Sequence, residues 1–248
     1  MQLPPISCKC ITYGRVNMLE ESLESFLRQD YFGKKEMIII NDCPFQHLVF
    51  DHPEVKIINV AETFNTIGEK ENFAFSQCNY DIIAQWDDDD LALPNHLSNI
   101  AKYFTNGSSL LHWHRAIFMN MPTIEAITGV GNSGIVYSRK AYERVGGYPL
   151  ENAGYDMTFV IAIKTLCENI VFAAPSNEDV SWIYVWGGRG YHMSGAGTDI
   201  PSRPNVIIRH SAYIESERVA GKIPVGTIHL KPHWKHDYPQ MLKNFLKK

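Results

Sequence analysis

The sequence has little that would send it to a membrane or lock it with disulfides. Its 248 residues open Met1-Gln2-Leu3-Pro4-Pro5, without the basic region and apolar run of a secretory leader. Its longest apolar stretches fall far short of a bilayer span. Five cysteines (Cys8, Cys10, Cys43, Cys78, Cys167) form an odd, scattered set with no C-x-x-C spacing, which disfavours metal or redox use. Cys8 and Cys10, two apart on an expected strand, share one face and read as small core residues. These absences point to a reducing, cytoplasmic setting. Positive charge is also short: 23 Lys and Arg against 27 Asp and Glu give a net charge of −4. That argues against a general nucleic-acid binder relying on phosphate neutralisation. No repeat or low-complexity tract interrupts the chain. The remainder is ordinary for a globular enzyme, with 45% hydrophobic and 20% charged residues, enough for one α/β domain over residues 1–248.

Along the first hundred residues strand and helix patterns alternate. Ile6 to Thr12 reads as a strand, Met18 to Arg28 as a helix (Met18, Leu23, Phe26 and Leu27 at helical spacing), and Lys35 to Ile40 as a strand. The run Met37-Ile38-Ile39-Ile40 is typical of a strand buried on both faces. Val55 to Val60 is a further strand, Glu69 to Gln77 a helix, and Ile82 to Trp86 a strand feeding directly into Asp87. Such alternation implies an open, mostly parallel sheet whose ligands bind beyond the carboxyl ends of the strands. Thr12-Tyr13, Asn41-Asp42 and Asp87 to Asp90 all follow strands, so one cleft should collect them. The second half is less regular. Leu110 to Phe118 and Gly134 to Ser138 read as strands, and Arg139 to Val145 and Met157 to Cys167 as helices. Trp186 to Gly197 holds five glycines in twelve residues, so residues 186–204 read as a mobile loop over the cleft. The basic tail, residues 231–248, has Met241, Leu242, Phe245 and Leu246 available for an apolar face.

Four consecutive aspartates at the mouth of a sheet repel one another, and without a counter-ion some would stay protonated. Trp86 before them and Leu91-Ala92-Leu93-Pro94 after them frame the cluster with core, which disfavours a merely solvated acidic turn. Hard Mg²⁺ or Mn²⁺, taking carboxylate and phosphate oxygens, resolves the repulsion. His112 and His114 flank Trp113 on an expected strand without a third ligand in spacing, so they read as structural, while Trp113 could stack on a sugar. Arg189 could pair with a phosphate oxygen or be merely solvated. His233-Trp234-Lys235-His236 in the tail is compatible with weak contact to an anionic membrane surface, with plain exposure the simpler reading.

Several of these segments together resemble glycosyltransferase family 2. Ile6-Ser7-Cys8-Lys9-Cys10-Ile11-Thr12-Tyr13-Gly14-Arg15 looks like its opening strand and turn, and Ser25-Phe26-Leu27-Arg28-Gln29-Asp30-Tyr31 like its first helix end. Ile38-Ile39-Ile40-Asn41-Asp42 is similar to its second strand. Gly68-Glu69-Lys70-Glu71-Asn72, followed by Trp86-Asp87-Asp88-Asp89-Asp90 and Pro94, resembles its D-x-D region. Gly146-Gly147-Tyr148 and Gly154-Tyr155-Asp156 resemble its acceptor-side segment. The matches run in order over roughly residues 5 to 165.

The resemblance implies an α/β GT-A fold, Rossmann-like, with a mostly parallel central sheet flanked by helices and a smaller acceptor-side subregion. It implies a nucleotide-sugar half (1–105), an acceptor half (106–230), a nucleotide-diphosphate sugar donor with UDP favoured, and inversion at the anomeric carbon. The acceptor would be a carbohydrate or glycolipid hydroxyl. Thr12, Tyr13 and Asp42 should border the base, with Asp42 accepting from a ring nitrogen. Lys70 should approach the ribose or diphosphate, and Asp87 or Asp88 the ribose and the metal's water shell. Asp89 should ligate the metal, and Asp156 should act as general base. His192 either completes the metal site when the glycine-rich loop closes or is a surface histidine. Four positions depart from the family pattern: Gly14 and Asn41 stand where asparagine and aspartate are common, Glu71 where arginine is, and Tyr155 where an acidic residue commonly precedes the base. A sugar nucleotidyltransferase would open with a glycine-rich basic phosphate loop, of which only Gly14-Arg15 is present. A D-x-D phosphatase would place its aspartate after the first strand. A catalytically silent nucleotide-sugar binder is the rival outside enzymes.

Overall fold

The computed structural model describes residues 3–120, 123–128, 134–185 and 206–246. The first part of the chain runs β1 (Ile6–Thr12), α1 (Val16–Leu27), β2 (Lys35–Asn41), β3 (Gln46–Val49), β4 (Val55–Asn59), α2 (Ile67–Ser76), β5 (Ile82–Gln85), β6 (Leu91–Ala92) and α3 (His96–Tyr103). It continues through β7 (Leu110–Trp113), β8 (Arg115–Asn120), β9 (Thr123–Thr128), β10 (Val136–Ser138), α4 (Arg139–Val145), α5 (Tyr155–Leu166), β11 (Ile170–Ala173) and β12 (Trp182–Val185). The last described elements are α6 (Val206–Val219), β13 (Gly226–His229) and α7 (Tyr238–Leu246).

A seven-stranded sheet in the order β11-β7-β10-β5-β1-β2-β4 forms the centre. Only β10 runs against its neighbours; the other pairings are parallel. The continuous apolar run of β2, which puts hydrophobic side chains on both faces, explains why helices cover both. Met37 and Ile39 pack with Leu19, Leu23 and Phe26 of α1, whereas Ile38 and Ile40 pack with Ala74 and Phe75 of α2. Cys8 and Cys10 lie fully buried on the α1 side, as expected from their spacing, and all five cysteines are free thiols. Among the described residues no helix is long and apolar enough to cross a membrane.

The stretch from Leu110 to Phe118, expected as one strand, is broken at His114. β7 joins the central sheet, while β8 joins a four-stranded sheet in the order β6-β12-β8-β9. The break buries Trp113, whose indole N–H donates to the Gly134 carbonyl at 2.8 Å and whose ring packs against His96 and Tyr103. Trp113 is therefore a core residue and not a stacking platform for a sugar. His112 and His114 pack around Phe172. The halves at 1–105 and 106–230 do not coincide with the sheets: β7, β10 and β11 complete the central sheet, β6 pairs with β12, and β13 pairs with β3.

The tail's apolar face is turned inward. Tyr238 and Leu242 of α7 are buried with Leu91, Ile117, Val180 and Ile183, with Met241, Phe245 and Leu246 packed around them. The Tyr238 hydroxyl donates to buried Glu21 of α1, and Trp234 donates to Ser25 at 3.0 Å.

Candidate active site

Parallel pairing brings the ends of three strands to one edge of the sheet. Thr12 lies beside Asn41 and Lys9 beside Gln85, so the residues following β1, β2 and β5 emerge together. Those following β1 and β2 border a cleft of about 450 Å³, counting its open mouth, lined by Thr12, Tyr13, Arg15, Asp42, Thr63, Phe64, Lys70 and His210 among others, and the acidic cluster after β5 meets it through Arg15. Thr12, Tyr13, Asp42 and Lys70 thus converge as expected.

Their internal contacts hold the cleft in shape. The Lys70 ammonium pairs with Asp42 and also donates to the Thr12 carbonyl at 2.7 Å. The other Asp42 oxygen accepts from the Phe64 amide at 3.0 Å. Lys70 is nearly buried, so it braces Asp42 against the end of β1 in addition to lining the cleft. α6, for which the sequence offered no periodic signal, supplies the opposite wall. His210 donates from Nε2 to the Tyr13 carbonyl at 3.3 Å, and the two rings lie 5.7 Å apart. Burial, reinforced by Arg15, pushes His210 down to about 3, so it is neutral near pH 7.

The acidic cluster divides by parity. Asp87 and Asp89 are partly exposed, whereas Asp88 and Asp90 are buried. α1 pins the segment from below: Ser22 donates to the Asp87 carbonyl at 2.8 Å, and the Trp86 indole donates to the Ser22 carbonyl at 3.2 Å. One Asp90 oxygen accepts from the Val185 amide at 2.9 Å, tying the cluster to β12. Arg15 is the counter-ion. It places Nε (3.1 Å) and Nη2 on the two oxygens of Asp88 and Nη1 on Asp89 at 2.7 Å. Burial lowers the Arg15 pKa, but Asp88, Asp89 and Asp87 outweigh it and leave the guanidinium more firmly charged than usual. Burial and then Asp89 push Asp87 up to about 7. Burial also raises Asp88, against the pull of Arg15, to about 6.

A second set of polar contacts runs beneath the cluster. Fully buried Lys9 pairs with Glu71, Glu71 accepts from Gln85 at 3.3 Å, and the same Gln85 nitrogen donates to Asp87 at 2.9 Å. Asp156 stands in the first turn of α5, partly exposed. Its neighbour Tyr155 is raised chiefly by burial and further by the charges of Glu71, Asp156, Asp87 and Asp89. Arg189 and His192, with all of 186–204, lie outside the described residues.

Residues 9–147 match the sequence profile described as Glycosyl transferase family 2. The chain belongs to glycosyl transferase family 2. Among solved structures, S. aureus TarS 1–349 in complex with UDP-GlcNAc is similar at 16% identity and a TM-score of 0.62, over 78% of this chain and 61% of that one. The mannosyltransferase PcManGT from Pyrobaculum calidifontis, in complex with GDP-Man and Mn²⁺, is similar at 16% identity and a TM-score of 0.58, over 90% of this chain and 66% of that one. This chain therefore spans about three-fifths of TarS 1–349. No curated protein sequence matches it. The architecture is GT-A.

Three of the four departures from the family pattern have structural counterparts. Glu71, in place of arginine, meets Lys9, so its charge is balanced inside the fold. Asn41 uses its amide to reach the Gln46 carbonyl and the Asn59 side chain, both at 2.9 Å, knitting β2 to β3 and β4. Gly14 has φ +71°, and a Cβ there would stand 2.5 Å from Ile214, so its lack of a side chain lets α6 seat over the turn. Sequence reasoning missed Arg15, His210 and Gln85 as parts of this site, and had Glu71 only as a departure from the family pattern. The demand of four aspartates for a cation was the one available signal for Arg15.

The cluster suits a divalent cation chemically: hard oxygens, two of them on partly open carboxylates, already neutralised in part by a guanidinium. Among the described residues no three His, Cys, Asp or Glu side chains gather as a metal site. Most ligands of such a cation would therefore come from phosphate oxygens and water, the usual case for Mg²⁺ at nucleotides.

Proposed function

We propose that the protein is a metal-dependent, inverting glycosyltransferase that moves a sugar from a nucleotide-diphosphate donor, preferably a UDP-sugar, to a carbohydrate or glycolipid hydroxyl. The observation that carries this reading is that Tyr13 and Asp42 line one cleft at the sheet edge together with Arg15, which pairs with Asp88 and Asp89 of the acidic cluster at the same edge. The nucleoside fits the cleft between Tyr13, Asp42 and Phe64, with Asp42 free to accept further hydrogen bonds because a carboxylate has about four lone-pair sites. Asp88 is buried against Arg15 and Thr12, so the two partly exposed members take the ligands: Asp87 the ribose and Asp89, which one arm of Arg15 also holds, Mn²⁺ or Mg²⁺. Bound there, the cation would stabilise negative charge developing on the leaving diphosphate.

Asp156 would take the proton of the acceptor hydroxyl as its oxygen bonds to the anomeric carbon and the bond to the diphosphate oxygen breaks. Such a base contributes about 10²–10⁴-fold. Arg189 would pair with a phosphate, and His192 would complete the cation's ligands. The chemistry suits polysaccharide or glycoconjugate synthesis, and five free thiols suit a reducing cytoplasm. Any tail contact with a membrane would rest on its lysines, since the apolar face of α7 packs inward.

Calorimetry of UDP and GDP binding with and without Mn²⁺ tests the donor half. UDP affinity should rise at least tenfold with metal in the wild type and not in Asp89→Ala; metal-independent binding would remove the cluster from the site. Asp156→Asn should bind donor normally while release of diphosphate from a panel of nucleotide-sugars stops. Undiminished turnover in that variant would place the base elsewhere, and an absence of turnover in the wild type with every donor would favour the silent binder.

A further inference from the structure

We infer that Arg15 is the built-in counter-cation of the acidic cluster, and that a divalent cation binds only by taking Asp89 away from it; this rests on the metal reading above. The arginine's contacts are unequal. Two of its nitrogens fork onto both oxygens of Asp88, whereas one, Nη1, holds a single oxygen of Asp89 at 2.7 Å. Asp88 is buried and its side chain is 1% exposed; the Asp89 side chain is 15% exposed. Removing Asp88 from the fork would strand a largely buried guanidinium, a costly state. Removing Asp89 costs the arginine a single hydrogen bond and leaves the fork intact.

The base of the arginine is fixed as well. Arg15 precedes α1, its carbonyl accepting from the Met18 and Leu19 amides at 3.0 Å, and its side chain takes no part in capping the helix. The guanidinium is therefore presented to the cluster by rigid backbone, at the border of the cleft it also lines. A divalent ion on Asp89 would lie beside this fixed positive charge, and two cations repel strongly where water is scarce. A diphosphate in the cleft adds the negative charge that lets both stay. Arg15 thus makes cation binding depend on nucleotide: the empty protein keeps its aspartates on arginine, and metal arrives with the donor.

Free Mn²⁺ measured by electron paramagnetic resonance, with and without UDP, tests this on the full chain. Wild type should bind Mn²⁺ weakly alone and at least tenfold more tightly with UDP. Arg15→Met should bind Mn²⁺ alone at least tenfold more tightly than wild type, shrinking the UDP effect. Arg15→Lys should fall between, because an ammonium does not reproduce the planar fork, and it decides the matter if circular dichroism shows Arg15→Met unfolded. Equal or weaker Mn²⁺ binding by the folded variants without UDP would overturn the inference alone. If wild type and variants ignore Mn²⁺ even with UDP, the metal reading falls and this inference with it.

Discussion

Asp87 and its neighbours show how much of a site depends on which way single side chains point. The sequence announces four aspartates, and their parity in the turn sorts them into two outward and two inward residues. Their need for a counter-charge was legible; the arginine that meets it was not, because Arg15 and Asp88 lie 73 positions apart and only the β1–β5 pairing brings them together. Asp87 carries a testable consequence. Its pKa is about 7 in the fold and about 3.9 unfolded, so the native state binds the extra proton between those values. Stability from this group is therefore unimpaired below about pH 4, falls as pH rises to 7, and stays reduced above. Asp87→Asn cannot ionise and can still accept from Gln85. In EDTA it should melt roughly 4 °C or more above wild type at pH 8, with the gap closing toward pH 4. A gap that is constant with pH would show that Asp87 is not held in its raised state.

At the scale of elements, strands β1, β2, β4 and β5 and helices α1 and α2 were readable because each is a strong local pattern with a single period. What escaped depends on partners. β8 could not be separated from β7 because no glycine or proline marks the break at His114, and the switch of sheet is set by where β11 and β12 lie. α6 has almost no amphipathic pattern, since it covers a cleft instead of a hydrophobic face. Its seat is Gly14, at φ +71° and against Ile214. Gly14→Ala should cost about 1–2 kcal/mol from the left-handed backbone alone and should lift α6. Hydrogen exchange should then accelerate over residues 206–219 while β1 and β2 keep their protection. Unchanged exchange in α6 would mean that the helix is held by other contacts.

For the whole molecule, the question is whether the donor half and the acceptor half are separate units. Composition and length suggested one α/β domain, and the order of motifs suggested two halves within it; neither shows how the halves are joined. The packing supplies the physical reason to expect one unit. A single buried cluster takes Ile6, Leu19 and Trp86 from the first half and Trp113, Val136, Trp182 and Leu230 from the rest. Trp86 and Trp182 of this cluster and the buried His96 beside them lie with ring centroids 5.1–6.2 Å apart. Neither half can be exposed without opening these contacts, so we propose that the halves unfold together. Urea denaturation followed by tryptophan fluorescence, which reports the junction, and by far-ultraviolet circular dichroism, which reports the sheets and helices, should give coincident curves with one midpoint. Fluorescence moving ahead of the dichroism would instead make the junction a weak interface, and the donor-binding half would then be worth isolating as a folded unit.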